Sequence, residues 1–355
     1  MRKYLTILVL LLAVMLTTHR GVAQEILLGA DFTTLFDNKE YAKLDDIASG
    51  TLFSARLTPR VGIRWQQRNE LMFGVDMVQD FGHKSKFLSD ANVQLYYAYR
   101  APRLTALAGI FPRSEQRGMR SQLLFDRDYR YRNNRIGGVL MRYEGRKAEN
   151  SFLEFVFDYT SMREFDSREA FTLMLSGEVE VSSFYLGVDL MLGHYAKDYN
   201  PATEDGVVDN AFALPYLGYR PSFGGFEMDV RLSYMQAVQR DRITREGWQM
   251  PRGGELYLAI SRWGVTLANR LYVGKSLFPF WDKYGQELYF GTPHYATSGG
   301  IYEAVEVCYR RAFFSDTVRL GAGITAEYDG TGWGTRQWVE LGVVLDYGIA
   351  LKVKH

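Results

Sequence analysis

Four things are scarce in this sequence, and each scarcity removes a class of protein. One cysteine, Cys308, stands among 355 residues, so neither an internal disulfide nor a thiolate metal cluster can form. Histidine occurs five times, and His83, His194, His294 and His355 are scattered, without the His-x-x-x-His spacing of a metal site. Net charge is nearly absent, 42 Lys and Arg against 41 Asp and Glu, which removes nucleic-acid binding through overall charge. After residue 24 no apolar run reaches the roughly eighteen residues of a helical membrane span. No Gly-x-Ser-x-Gly elbow and no phosphate-binding P-loop occurs either. On these grounds the chain is expected not to be an enzyme and to need no metal or cofactor.

What is present begins with an export signal. Arg2 and Lys3 precede the apolar run Leu5 to Leu16, and Gly21-Val22-Ala23 offers a small-residue cleavage site. Residues 1–23 are therefore expected to be removed, leaving residues 24–355 as one domain; the other reading is an N-terminal anchor.

The longest regular pattern lies at the opposite end, Gln337 to Val353. Val339, Leu341, Val343, Leu345, Tyr347, Ile349 and Leu351 make one face, while Glu340, Gly342, Asp346, Gly348 and Lys352 lie on the other. A period of two over this length describes an extended strand with one apolar and one wet side, long enough to cross a bilayer. Strand two, Leu52 to Trp65, repeats it: Phe53, Ala55, Leu57, Val61, Ile63 and Trp65 alternate with Ser54, Arg56, Thr58, Arg60 and Arg64. Pro59 costs one ladder hydrogen bond and suggests a bulge.

Similar segments continue along the chain, and the connections between them alternate long and short. Pro112 to Arg135 and Gly274 to Gly299 are very long, whereas Gln66 to Asn69 and Ala101 to Arg103 are tight. Outer-membrane barrels combine short periplasmic turns with longer outer loops. The pattern therefore predicts an all-β protein, a transmembrane antiparallel up-and-down β-barrel of about sixteen strands, with fourteen or eighteen as alternatives. Mean hydropathy is only −0.20, as expected when polar lumen residues alternate with lipid-facing ones. Aromatic residues make up 15% of the chain, and Phe36, Trp65, Tyr143, Tyr159, Tyr219 and Tyr234 fall on outward parity at strand ends, the position of interfacial girdles. A secreted β-sandwich also alternates, but its strands are shorter and its connections lack this parity.

Three local phrases, Phe36-Asp37-Asn38-Lys39-Glu40-Tyr41, Gly109-Ile110-Phe111-Pro112-Arg113, and Leu123 to Tyr131 with Asn133 to Leu140, resemble outer-membrane β-barrel proteins of the Bacteroidota, a porin-like group. That resemblance implies an outer-membrane location and a barrel, and nothing about a solute.

Two loops carry the most chemistry. The third, Pro112 to Arg135, holds Arg113, Arg120, Arg127, Arg130 and Arg132. Folded into the lumen it would form a constriction favouring anions; left outside it would meet lipopolysaccharide phosphates or protein partners. The seventh presents Phe280, Trp281, Tyr284 and Tyr289, suited to a sugar or protein surface, or to packing on itself at the mouth. Within the lumen, Arg56, Arg60 and Arg64 gather on strand two, while Glu154, Asp158 and Asp189 lie on strands seven to nine, so two walls of opposite sign are expected. The functional expectation is a porin-like channel passing small hydrophilic solutes. The alternative is a non-conducting barrel serving as a subunit or binding element of a larger outer-membrane assembly. Its surroundings would be outer-membrane lipid, lipopolysaccharide and other outer-membrane proteins.

Overall fold

The computed structural model describes residues 24–41, 44, 47–82, 86–145, 151–164, 167–197, 206–244, 246–296 and 299–351. The signal segment, His83 and His355 lie outside them. The strands follow one another as β1 (Gln24–Glu40), β2 (Gly50–Trp65), β3 (Asn69–Asp80), β4 (Asp90–Arg100), β5 (Leu104–Pro112), β6 (Arg135–Glu144), β7 (Phe152–Ser161) and β8 (Ala170–Val181). The series continues with β9 (Phe184–Tyr195), β10 (Val208–Tyr219), the two-residue β11 (Ser222–Phe223), β12 (Phe226–Asp241), β13 (Arg252–Arg262), β14 (Val265–Gly274), β15 (Ile301–Phe313), β16 (Val318–Tyr328) and β17 (Trp333–Leu351). Each strand pairs antiparallel with its sequence neighbours, β11 being a minor hairpin segment beside the direct pairing of β10 with β12. The sheet closes where β1 pairs β17, from Gln24 with Leu351 to Glu40 with Thr335. Sixteen long strands thus form a closed barrel without a free edge.

Closure follows from the alternation. Outward residues such as Leu57, Val61, Leu341 and Leu345 are more than a third exposed, while their neighbours Arg56 and Trp338 are buried in the lumen. A one-residue slip would exchange the two sets, so lipid and lumen together hold the register. Aromatic rings mark both rims: Phe36 meets Phe53 edge-on, centroids 5.6 Å apart, at the loop end, and Phe184 lies 4.6 Å from Tyr219 at the turn end. Turns are tight where the sequence is short. Trp263 (φ 54°) and Gly264 (φ 84°) form a two-residue hairpin loop with both residues left-handed, matching the strand twist.

Three details differ from expectation. Pro59 interrupts its ladder without a bulge: Leu57 pairs Met77 and Arg60 pairs Gly74 in one unbroken register. The bulge lies instead between β7 and β8, at Tyr159 and Ser161. β1 and β12 also run past Phe36 and Tyr234, expected at strand ends, as far as Glu40 and Asp241 in polar sequence. There, inward Asp37 pairs with Arg336 at 2.6 Å, and Asp241 accepts from Tyr284 at 2.8 Å, so the extra residues have interior partners.

The barrel is not hollow. The third loop (residues 113–134) and the seventh (residues 275–296) fold inside, where Met119, Leu123, Leu124, Phe125, Leu277 and Phe278 are at most 2% exposed. They pack against inward apolar residues of the far wall, including Leu140, Val156, Met174, Met191, Phe212 and Met235. Each such side chain contributes about 1.5–3 kcal/mol when fully buried.

Candidate functional site

The third loop is seated on carboxylates of β7 and β9 and a hydroxyl of β8. Leaving β5, it loses its ladder partners, and its amides must find acceptors inside the barrel. Glu154 accepts from Gly118 N at 2.8 Å and from Arg117 N at 3.0 Å. Asp189 Oδ1 and Ser176 Oγ each accept from Met119 N at 3.2 Å. Asp158 takes Arg113 Nη2 at 2.7 Å and Gly137 N at 3.0 Å, and both partners of that ion pair are 4% exposed. These carboxylates are committed to holding a loop.

A single helix, Arg127–Arg132, follows. Asp126 caps it, accepting from Tyr129 N at 2.6 Å, as the unsatisfied amides of a first turn require. Its arginines are each engaged. Arg127 lies 4.3 Å over the Trp338 ring with Glu306 at 3.4 Å. Arg130 donates to Met119 O, and burial, reinforced by Arg113, pushes its pKa down to about 10. Arg132 reaches Asp80 at 2.8 Å. Arg120 is exposed, its Nε on Arg117 O at 3.1 Å.

The seventh loop packs on the third. Asp126 N donates to Phe290 O (2.8 Å) and Thr292 N to Gln122 O (2.9 Å). A Cβ at Gly291 would stand 1.9 Å from Leu123 O, so only glycine permits this approach. Of the aromatics expected to meet partners outside, Tyr284 and Tyr289 are 6% and 1% exposed, and Tyr289 donates to Gln239 at 2.6 Å. Phe280 and Trp281 pack against the same interior cluster. The inward apolar residues on β6 to β12 were the overlooked signal in the sequence: a wet lumen gives Met174 or Phe212 no partner, whereas a loop folded inside does.

Together the loops divide the lumen. A cavity of about 940 Å³ lies at the loop end, lined by Lys39, Asp128, Tyr129, Arg132, Arg168 and Glu287 among others. A second, of about 700 Å³, lies at the turn end, with Arg56, Arg60, Arg64, Arg100 and Arg319 facing Glu25, Asp31, Glu70, Glu115 and Asp346. The β2 arginines are paired: Arg56 with Asp76, Arg60 with Asp31 and with Asp346 at 2.7 Å, Arg64 with Glu25 and Glu70 at 2.8 Å. Between the cavities stands a thin septum, where Ser54 Oγ donates to Tyr131 Oη at 2.7 Å and Arg56 donates to Tyr131 O.

Two histidines lie among the described residues. His194 faces outward near the loop end, stacked on Phe171 with centroids 4.9 Å apart and opposite Asp209 in the register. His294 is interior, with Nδ1 2.9 Å from Thr292 Oγ1. Among the described residues no cluster of three metal-binding side chains occurs.

The closed antiparallel sixteen-strand barrel matches outer-membrane porin structures. OccAB3 of Acinetobacter baumannii superposes with a TM-score of 0.52 at 7% identity, covering 92% of this chain and 100% of that one. The outer membrane protein OpdK of Pseudomonas aeruginosa gives 0.51 at 10% identity, covering 91% and 99%. OmpT, an outer membrane protein of Vibrio cholerae, matches in a form lacking loop L8 with 0.52 at 8% identity, covering 92% and 100%. These likenesses concern the fold. No curated protein matches the chain in sequence. By sequence, the chain belongs to the lipid A 3'-O-deacylase-type family, which matches residues 17–337.

That membership overturns the expectation that the chain is not an enzyme, because the family is named for an enzyme. The expectation rested on scattered histidines and missing short motifs. In a barrel, groups far apart in sequence meet across strands, so linear spacing cannot exclude a catalytic site.

Proposed function

We propose that the protein is an outer-membrane conduit for small hydrophilic solutes, reached after removal of residues 1–23, with solutes moving along the β1 to β4 wall. The observation that carries this reading is the thinness of the septum. On the inward face of β2, Ser54 alone separates Leu52 of the loop-end cavity from Arg56 of the turn-end cavity. The third loop constricts this route through Tyr131 and Arg132, while Arg113, Arg127 and Arg130 serve to hold the loop in place. Sixteen strands leave room for an aqueous channel, and the third loop reaches the β1 to β3 wall through Asp128, Tyr131 and Arg132. The test is single-channel conductance of the refolded barrel in a planar bilayer. Small steps are expected from the wild type and several-fold larger ones from Tyr131→Ala. Silence from both variants in a heat-modifiable, folded barrel would overturn the conduit.

A second reading follows from the family: action on an acyl chain of lipid A at the outer surface. Family membership supports it, together with His194 standing beside Asp209 on the lipid-facing side near the loop end. Mass spectrometry of lipid A from a host with an outer membrane, with and without the protein, decides it: loss of one acyl chain is expected, and an unchanged mass would remove this reading.

A further inference from the structure

We propose that the turn-end cavity holds a binding subsite for a small, uncharged, polyhydroxylated solute, centred on the side-chain amide of Gln94. This names the solute class of the conduit and rests on that reading.

Gln94 faces inward from β4 and lines the cavity, yet it is 1% exposed. Its Oε1 and its Nε2 are both buried without a protein hydrogen-bond partner. Leaving one such atom unpaired is costly, and leaving both on one amide is unusual in a folded chain. Gly74 of β3 is paired with Arg60 on one side and Gln94 on the other, and a Cβ there would lie 3.3 Å from Arg60 Cβ and 3.5 Å from Gln94 Oε1, so these two side chains close over the glycine. Both line the turn-end cavity, an amide beside an arginine.

The charges around Gln94 are already matched. Arg60 is bound to Asp31 and Asp346, and Arg56 to Asp76, with only Arg56 Nε left over. An ionic solute would have to break one of these pairs, whereas a neutral one need not. The amide presents one donor and one acceptor side by side, the complement of two neighbouring hydroxyls, of which one accepts and the next donates. Tyr96, two residues along the same face and 6% exposed, also lines the cavity and gives it an aromatic group, whose ring face suits the C–H groups of a sugar-like ring.

The probe is D-glucose, titrated calorimetrically into the full barrel in detergent, with gluconate and glucosamine as charged counterparts. Glucose is expected to bind more tightly than either. Gln94→Leu, which removes both unpaired atoms while keeping the volume, is expected to weaken glucose at least tenfold in a barrel that remains heat-modifiable. Gln94→Asn, which withdraws the amide, serves if the leucine variant fails to fold. Absence of glucose binding, equal binding to the folded variant, or a preference for gluconate would each overturn the proposal. Binding is read without transport. A barrel that conducts but binds no glucose therefore fails here alone, and one that binds but does not conduct fails only as a conduit.

Discussion

Two walls of one barrel use the same residue types for opposite purposes. On β7 to β9 the carboxylates of Glu154, Asp158 and Asp189 meet amides and an arginine of the third loop, and that wall is covered. On β1 to β3 the carboxylates of Glu25, Asp31 and Asp76 meet arginines of the neighbouring strand β2, and Glu25, Asp31 and those arginines line the turn-end cavity. The difference lies in what the carboxylate can reach. Where β2 supplies a guanidinium at every second inward step, the charges are satisfied within the sheet. Where the inward neighbours include Val156, Met174 and Met191, Glu154 and Asp158 reach Arg142 and Gly137 N of the adjacent strand β6, and the carboxylates also take the loop's amides and Arg113. Apolar contact then completes the seal.

The largest effect should come from breaking the covered wall. Asp158→Ala leaves the Arg113 guanidinium buried and unpaired, a loss of about 3–5 kcal/mol. The loop is expected to leave its seat, visible as conductance several-fold above the wild type and a lower temperature of heat modification. Asp158→Asn, which keeps an acceptor, should lie between. Equal conductance in all three would show that the seat does not hold the loop.

An intermediate effect is expected on the open wall. Arg60→Ala frees Asp31 and Asp346, whose side chains are 38% and 63% exposed, so its stability change should stay within about 1 kcal/mol. The reversal potential under a salt gradient should nevertheless move toward cation selectivity. A large fall in stability without that shift would reverse the contrast between the walls.

The smallest effect concerns pH and the seventh loop. His294 is 2% exposed and faces Tyr41, Tyr302, Glu327, Asp329, Lys39 and Arg336. Burial pushes its pKa below the ordinary 6.5, Glu327 and Asp329 opposing and Lys39 and Arg336 reinforcing. The unfolded imidazole therefore takes its proton at higher pH than the folded one. Packing of the seventh loop is expected to weaken as pH falls below about 6.5, to level off beneath the folded value, and to be independent of this group above 6.5. Protease access to that loop at pH 7.5 and pH 5 measures it, with His294→Gln removing the dependence. A wild type insensitive to pH would refute it.

The long strands were legible because a bilayer imposes one rule on every strand, apolar outward and anything inward. Val339 to Ile349 obeys it without interruption, as does Phe53 to Trp65, and the bounds Pro112 and Arg135 of the third loop could be read directly. The extra rim residues of β1 and β12 could not, since Asp37 and Gln239 look like loop residues until Arg336 and Tyr289 are placed beside them. Nor could the exclusion of catalysis stand on motif spacing alone, as family membership shows.

By itself the sequence determined the barrel, its parity, and which residues face lipid or lumen, because a two-residue period is local and the membrane reads it strand by strand. Only the tertiary structure decided what the lumen contains. Whether Arg113 lines a pore or anchors a loop depends on Asp158, 45 positions away, and whether Gln94 is satisfied depends on its neighbours across β3 and β5. Such pairings arise when the sheet closes and the loops fold inside it, and no spacing along the chain encodes them.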